Sequence, residues 1–301
     1  MPSIVIAAFY KFVHLPFFKS LQAPLLELCL AENIRGTILL AEEGINSTIA
    51  GSREGMDKIL AYLRSQEGLG DLEHKESFDN SQPFKRMKVR LKREIVTLKQ
   101  PTAIPTQKVG TYVAPKDWNA LLSKPGVIAI DVRNDYEVNI GSFKGAINPQ
   151  TKTFSEFPRF VEEHLKDKKA EIVTWCTGGI RCEKATAYLL DQGYENVYHL
   201  KGGILKYLEE IPQEKSLWEG ECFVFDQRVS VAHGLEVGSY KLCYACQQPL
   251  SEADRQSTFY KLGLSCPHCY DTLSEKQKER FANRQHQVEV CALRGEQHIG
   301  F

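Results

Sequence analysis

The sequence carries no net charge, 38 Lys and Arg being matched by 38 Asp and Glu. Any affinity for nucleic acid must therefore come from a local patch and not from the chain as a whole. No apolar run is long enough to span a bilayer. Met1-Pro2-Ser3-Ile4-Val5-Ile6 has no basic stretch ahead of an apolar one, so no secretory signal and no membrane are expected. No Gly-rich dinucleotide fingerprint follows a predicted strand, which leaves no flavin or nicotinamide motif. No clear His-x-Asp or His-x-Glu pair marks a two-histidine, one-carboxylate iron site. A helix-turn-helix or other DNA-reading motif is also missing, so DNA is not an expected partner. What remains is an ordinary globular composition, 43% hydrophobic and 25% charged, on 301 residues, enough for two or three domains. Nine cysteines is an odd count, and four sit in Cys-x-x-Cys pairs. That usage points to thiol and metal chemistry in a reducing cytoplasm, not to a disulfide framework.

The most informative stretch is Cys176-Thr177-Gly178-Gly179-Ile180-Arg181, with the apolar run Ile172–Trp175 before it and a helical pattern after it. A cysteine at the end of a buried strand and the start of a helix meets unpaired backbone N–H groups and the positive end of the helix dipole. Both favour a nucleophilic thiolate. Arg181 can hold the loop or bind an anion beside the sulfur. Four residues separate Cys176 from Arg181, a ring too small to surround a phosphate but suited to a smaller group such as the outer sulfur of a persulfide. Cys182 follows Arg181 and can either pack in the first helical turn or resolve an oxidised Cys176.

Three segments emerge. In residues 1–100, Val5–Phe12 reads as a strand and Pro16–Glu32 as a helix. Two strands then flank Glu42-Glu43-Gly44-Ile45-Asn46, and Arg53–Arg64 is a second helix. The order βαββαβ suggests a ferredoxin-like sandwich. Glu43 and Asn46 fit a turn, or a loop that meets RNA or the active cysteine. Residues 101–109 read as an extended linker. Residues 110–215 alternate strand and helix, as in an α/β domain with Cys176 at a strand's C-terminal end. Residues 216–301 centre on Cys243-Tyr244-Ala245-Cys246 and, after nineteen residues, Cys266-Pro267-His268-Cys269. That spacing fits a closed four-cysteine structural zinc site, with His268 as a competing ligand. Ser274 and Gln277 form a capping box for a last helix that carries Lys276, Lys278, Arg280 and Arg284.

A basic element lies between Phe84 and Lys99, with seven Lys or Arg residues and one acid, Glu94. In Met87-Lys88-Val89-Arg90-Leu91-Lys92 the alternation is strict. A strand there puts Met87, Val89 and Leu91 inside and Lys88, Arg90 and Lys92 on one outer face. Lys85, Arg86 and Arg93 extend that face. It suits a phosphate backbone, and RNA held by shape is the expected partner; it also suits a solubilising sheet edge.

Cys176–Arg181 resembles the active loop of rhodanese domains, and Asp131–Glu137 followed by Gly141–Asn148 resembles their upstream signature. Across the chain, Phe9–Phe12, Ala41–Asn46, Phe84–Val89, Cys176–Lys184, Lys201–Ile204, Gly220–Asp226 and the four-cysteine cluster are similar to the bacterial tRNA uridine hydroxylase family. The resemblance implies an α/β multidomain protein: an acylphosphatase-like α+β domain, a rhodanese-like α/β domain and a cysteine-rich, zinc-binding C-terminal region. It implies oxygen-dependent hydroxylation of the wobble uridine of tRNA to 5-hydroxyuridine, with molecular oxygen as co-substrate and Cys176 as the catalytic thiol. By the same resemblance Asp131 and Arg133 face and support the loop; a salt bridge from Arg133 to Glu137 fits the residues equally well. The loop taken alone suggests a persulfide sulfurtransferase instead. No motif names an electron or sulfur donor.

Overall fold

The structure is a computed structural model and describes residues 4–295. The chain divides into two units. One runs through Cys222 and takes back His233–Leu235; the other holds Phe223–Ala232 and the residues from Glu236 on.

The first unit begins with an acylphosphatase-like sandwich. Its elements are β1 (Ile4–Phe12), α1 (Phe18–Ala31), β2 (Arg35–Ala41), β3 (Gly44–Gly51), α2 (Arg53–Arg64), β4 (Lys75–Asp79) and β5 (Met87–Leu91). The sheet order is β4-β1-β3-β2-β5. The first four strands have the expected ferredoxin-like arrangement, and β5 is added at the edge, parallel to β2. Alternation drives the layering: Val5, Ala7 and Phe9 of β1 and Ile38 and Leu40 of β2 are buried against Leu21, Leu25 and Cys29 of α1 and Met56, Ile59 and Leu63 of α2. Ser52 caps α2 by accepting from the Gly55 N–H at 3.1 Å.

Residues 101–109, expected as an extended linker, instead form successive turns, and Leu98 and Ala103 are buried in the core of the next domain. Apolar side chains at these two positions outweigh the prolines' preference for an open chain. The rhodanese-like domain then follows as β6 (Thr111–Val113), α3 (Pro115–Leu122), β7 (Ile128–Asp131), α4 (Asp135–Val138), β8 (Gly141–Phe143), α5 (Phe157–His164), β9 (Glu171–Trp175), α6 (Ile180–Asp191), β10 (Asn196–Leu200) and α7 (Gly203–Glu210). Its parallel sheet has the order β6-β10-β9-β7. The continuous apolar runs of β7 and β9 are buried, as a sheet covered by helices on both faces requires.

The cysteine-rich region does not start at 216. β11 (Trp218–Gly220) pairs antiparallel with β8. Trp218 joins Phe143, Trp175, Trp118 and Tyr207 in a cluster of edge-to-face and tilted rings, Phe143 lying 5.1 Å from Trp175 and 5.2 Å from Trp218.

The second unit contains α8 (Glu252–Gln256) and the 19-residue α9 (Glu275–Leu293). Ser274 and Gln277 form the expected capping box on α9. A short pair, Lys241–Leu242 with Pro249–Leu250, carries the first Cys-x-x-Cys turn. Among the described residues no helix is long and apolar enough to cross a membrane.

Candidate active site

Cys176 follows the last residue of β9 and precedes the first turn of α6, at the C-terminal end of a parallel strand. Gly179 caps α6 with φ of 109°, a left-handed conformation that favours glycine, and an added Cβ would stand 2.8 Å from the Tyr10 hydroxyl. The same backbone turns the Gly179 N–H onto the Cys176 sulfur at 3.2 Å. The start of α7 braces the loop from below: the N–H groups of Ile204 and Leu205 donate to the Cys176 and Thr177 carbonyls at 3.0 and 3.1 Å. Gly203, with φ of 68°, permits this approach, since its Cβ would meet the Cys176 oxygen at 2.5 Å.

Burial works against a charged sulfur here, because Cys176 is 0% exposed. A hydrogen bond from the Cys182 thiol, the charge of Arg181 and the backbone N–H groups of Cys182 and Gly179 outweigh it and bring the Cys176 pKa down to about 6. Cys182, buried in the first turn of α6, is pushed the other way by burial and by the neighbouring sulfur. The pair is thus one thiolate and one thiol donor at neutral pH.

Arg181 makes a bidentate pair with Glu137 of α4, at 2.6 and 2.7 Å. Glu137 is fully buried, and its carboxylate also closes a capping box with Asn134. Thr177 lies within hydrogen-bond reach of both, at 3.5 and 3.4 Å. Asp131 and Arg133, expected to face the loop, bond to each other instead. Arg133 Nε and Nη2 donate to Asp131 at 2.9 and 2.7 Å, and Nη2 also donates to the Gly141 carbonyl. Ser142 donates to Asp131 at 2.6 Å, and the guanidinium lies 5.1 Å from the Trp218 ring. The proposed Arg133–Glu137 bridge does not form, because Glu137 is taken by Arg181. Asp131 and Arg133 therefore tie β7 to β8. Gly178 and Ile180 complete the loop backbone, with Ile180 as the first helical residue.

Four side chains at or near the loop were not singled out as site residues from sequence. Tyr10 of β1 donates to Glu183 of α6 at 2.7 Å. Burial raises the Glu183 carboxyl above its ordinary range, against hydrogen bonds from Tyr10 and Tyr112. Lys75 of β4 donates to the Gly178 carbonyl at 3.3 Å and to the Gly202 carbonyl. Lys184, almost fully buried, pairs with Glu43 at 2.8 Å and with Glu94. Glu43 also accepts from the Ile95 N–H, and Asn46 donates to the Ile95 carbonyl at 2.9 Å. Glu43 thus binds the two domains together through Lys184, while Asn46 holds the segment that follows β5, and both do more than shape a turn. His74-Lys75-Glu76 does spell a His-x-Glu sequence, but His74 is bonded to Glu76 and Arg64, and Glu76 to Arg53.

The basic stretch is an edge strand. Val89 is buried and Met87 half-buried, but Leu91, expected inside, is 38% exposed at the last position of the strand. Arg86 and Arg90 are exposed and Lys88 half-exposed; Lys92 and Arg93 lie just past the strand. Lys85 is half-buried before it. Among the described residues, none of Arg86, Lys88, Arg90, Lys92 and Arg93 makes an ion pair. Burial and the charges of Arg86 and Arg90 lower the pKa of Lys88.

In the second unit the sulfurs of Cys243, Cys246, Cys266 and Cys269 lie within 4.8 Å of one another, with 3.7 Å between Cys246 and Cys266 and between Cys266 and Cys269. Thiolates about 2.3 Å from a tetrahedral zinc are about 3.8 Å apart, so the four fit a closed structural site. His268 is not among them; its ring faces Asp254 at 3.4 Å.

Residues 4–95 match the UPF0176 acylphosphatase like domain, and residues 114–210 match the rhodanese-like domain. Solved structures that this chain matches include a rhodanese-like domain from Anabaena, 22% identical over 36% of this chain and 78% of that one, with a TM-score of 0.30. A human single-domain sulfurtransferase is 23% identical over 34% of this chain and 99% of its own, with a TM-score of 0.30. A Saccharomyces cerevisiae single-domain sulfurtransferase is 20% identical over 34% and 90%, with a TM-score of 0.29. A UPF0176 acylphosphatase-like domain followed by a rhodanese-like domain matches the architecture of the UPF0176, or tRNA uridine hydroxylase, family that the sequence resembles.

Proposed function

We propose that the protein hydroxylates the wobble uridine of tRNA at C5, with dioxygen as co-substrate and Cys176 as nucleophile. The observation that carries this reading is the Cys176 sulfur at the start of α6, which accepts from the Gly179 N–H at 3.2 Å beside Arg181, surroundings that bring its pKa down to about 6. The unpaired cations of β5 supply a surface for the RNA backbone. C6 of uracil is conjugated to the C4 carbonyl and accepts a thiolate. The S–C6 bond forms, and the electron pair of the C5–C6 double bond moves onto C5 and O4. The resulting enolate takes up dioxygen at C5 as a hydroperoxide, with one proton. Two thiols reduce the hydroperoxide to an alcohol and water and leave as a disulfide. Loss of the C5 proton then expels the Cys176 thiolate and restores the double bond. The sum is uridine, dioxygen and two thiols giving 5-hydroxyuridine, water and a disulfide. Because Cys176 is fully buried in the resting fold, the surroundings of the loop must open for the base to reach it.

A second reading is persulfide transfer, favoured by the single N–H-lined sulfur position, which suits one further sulfur atom. The two readings separate in tRNA from cells lacking the native enzyme and complemented with this chain or with Cys176→Ser. Nucleoside mass spectrometry should find 5-hydroxyuridine derivatives only with the unmodified chain. Their absence with both chains, together with thiosulfate:cyanide turnover, would establish sulfur transfer.

A further inference from the structure

The groups around the Cys176 loop come from two domains. Arg181 is the nearest cation on the loop's own helix, but its charge is matched by the bidentate carboxylate of Glu137. Glu183 is screened by Tyr10 and Tyr112, and burial favours its neutral form. Lys75 differs from both. Its ammonium makes no ion pair among the described residues, and its two hydrogen-bond partners are backbone carbonyls. One of these, Gly178, lies inside the cysteine loop. The other, Gly202, caps α7, whose first N–H groups hold the Cys176 and Thr177 carbonyls. A single side chain thus joins the two backbone segments that shape the sulfur site. An ammonium in place of water also adds positive charge beside the sulfur, where the interior screens it weakly.

We propose that Lys75 is a positioning residue of the Cys176 site, so that the acylphosphatase-like domain supplies the unpaired cation that holds the loop and keeps the sulfur ionised. On this account the site is shared between domains, and the first domain is part of the reactive machinery whichever reaction the thiolate performs. The titratable groups around the sulfur are Arg181, Cys182 and Glu183 of α6, Tyr10 of β1 and Lys75 of β4. Tyr112 faces Glu183, Glu137 faces Arg181, and Lys206, Glu209 and Glu210 of α7 surround Lys75.

The test is the pH profile of iodoacetamide labelling of Cys176 in the full chain, read by peptide mass spectrometry. Lys75→Met, Lys75→Gln and Lys75→Arg are compared with the unmodified protein, and thermal melting reports folding. Labelling midpoints, and not rates, are compared, because a change in exposure alters the rate without moving the midpoint. The unmodified protein should show a midpoint near 6. Lys75→Met should raise it by on the order of one unit, as loss of a nearby opposite charge does, and Lys75→Arg should restore it. If Lys75→Met melts early, Lys75→Gln decides, since it keeps a donor for the carbonyls without the charge. A raised midpoint in Lys75→Gln upholds the assignment. Midpoints unmoved in Met and Gln, or equally raised in Arg, overturn it.

Discussion

The loop around Cys176 and the turns around Cys243, Cys246, Cys266 and Cys269 both use cysteine, but they stabilise sulfur in opposite ways. In the loop one sulfur faces N–H groups, a thiol donor and a guanidinium, so a single thiolate is stable without any ion. In the cysteine cluster four sulfurs face one another within 4.8 Å. Four thiolates at that distance repel, and a dication resolves the repulsion while leaving no position for chemistry. Two further cysteines provide the contrast. Cys29 and Cys222 are as buried as Cys176, and burial pushes both up to about 12. Burial alone therefore silences a thiol, and the surrounding donors decide whether it reacts.

Removing one sulfur of the cluster should have the largest effect. Cys246→Ser should lose a zinc content of one per chain, measured by inductively coupled plasma mass spectrometry. It should also make the second unit sensitive to protease, since structural zinc contributes roughly 10 kcal/mol or more of apparent binding energy. Cys29→Ser should change neither. Next in size is the brace of the loop. Glu137→Gln leaves the Arg181 charge buried and half-partnered, and should cost about 3–5 kcal/mol in denaturant unfolding. A cost below about 1 kcal/mol would show that Arg181 finds another partner.

A replacement of Arg86, Lys88 and Arg90 together by Ala should weaken tRNA binding on the order of a hundredfold near physiological salt and flatten the log–log salt dependence by about three. An unchanged slope would make β5 only a protected sheet edge. The smallest effect is on pH. The folded Cys176 pKa lies below that of a free thiol, so the thiolate fills as pH rises through about 6 and empties as pH falls through it. Labelling of Cys176 should drop about tenfold from pH 7 to pH 5, the ratio of thiolate fractions for that pKa. Cys222 should stay unlabelled across this range.

The parts legible in sequence are those whose signal is local. The order of elements in the first domain, the cysteine at a strand–helix junction and the paired Cys-x-x-Cys spacing each depend on a few neighbouring residues. The parts that were not legible depend on which charge meets which across the fold. In the sequence Glu137 stands as a partner for Arg133; once β7 and β8 come together, Asp131 takes Arg133, and Glu137 is left for Arg181. Lys184 reads as one more surface lysine on a helix, yet it is buried between Glu43 and Glu94 of the preceding domain. Tyr10 and Lys75 stand far from Cys176 in the chain, and no periodicity marks a residue that is used by a neighbouring domain. Leu91 differs for a smaller reason, since alternation fixes which face a residue takes but not how deeply the last residue of a strand is buried.

The proposed oxygen insertion at uridine by the Cys176 thiolate can be followed with the purified full chain, unmodified tRNA, a thiol reductant and isotopically heavy dioxygen. Nucleoside mass spectrometry should show 5-hydroxyuridine bearing one heavy oxygen with the unmodified protein and none with Cys176→Ser. Heavy 5-hydroxyuridine formed equally by both proteins would contradict the account.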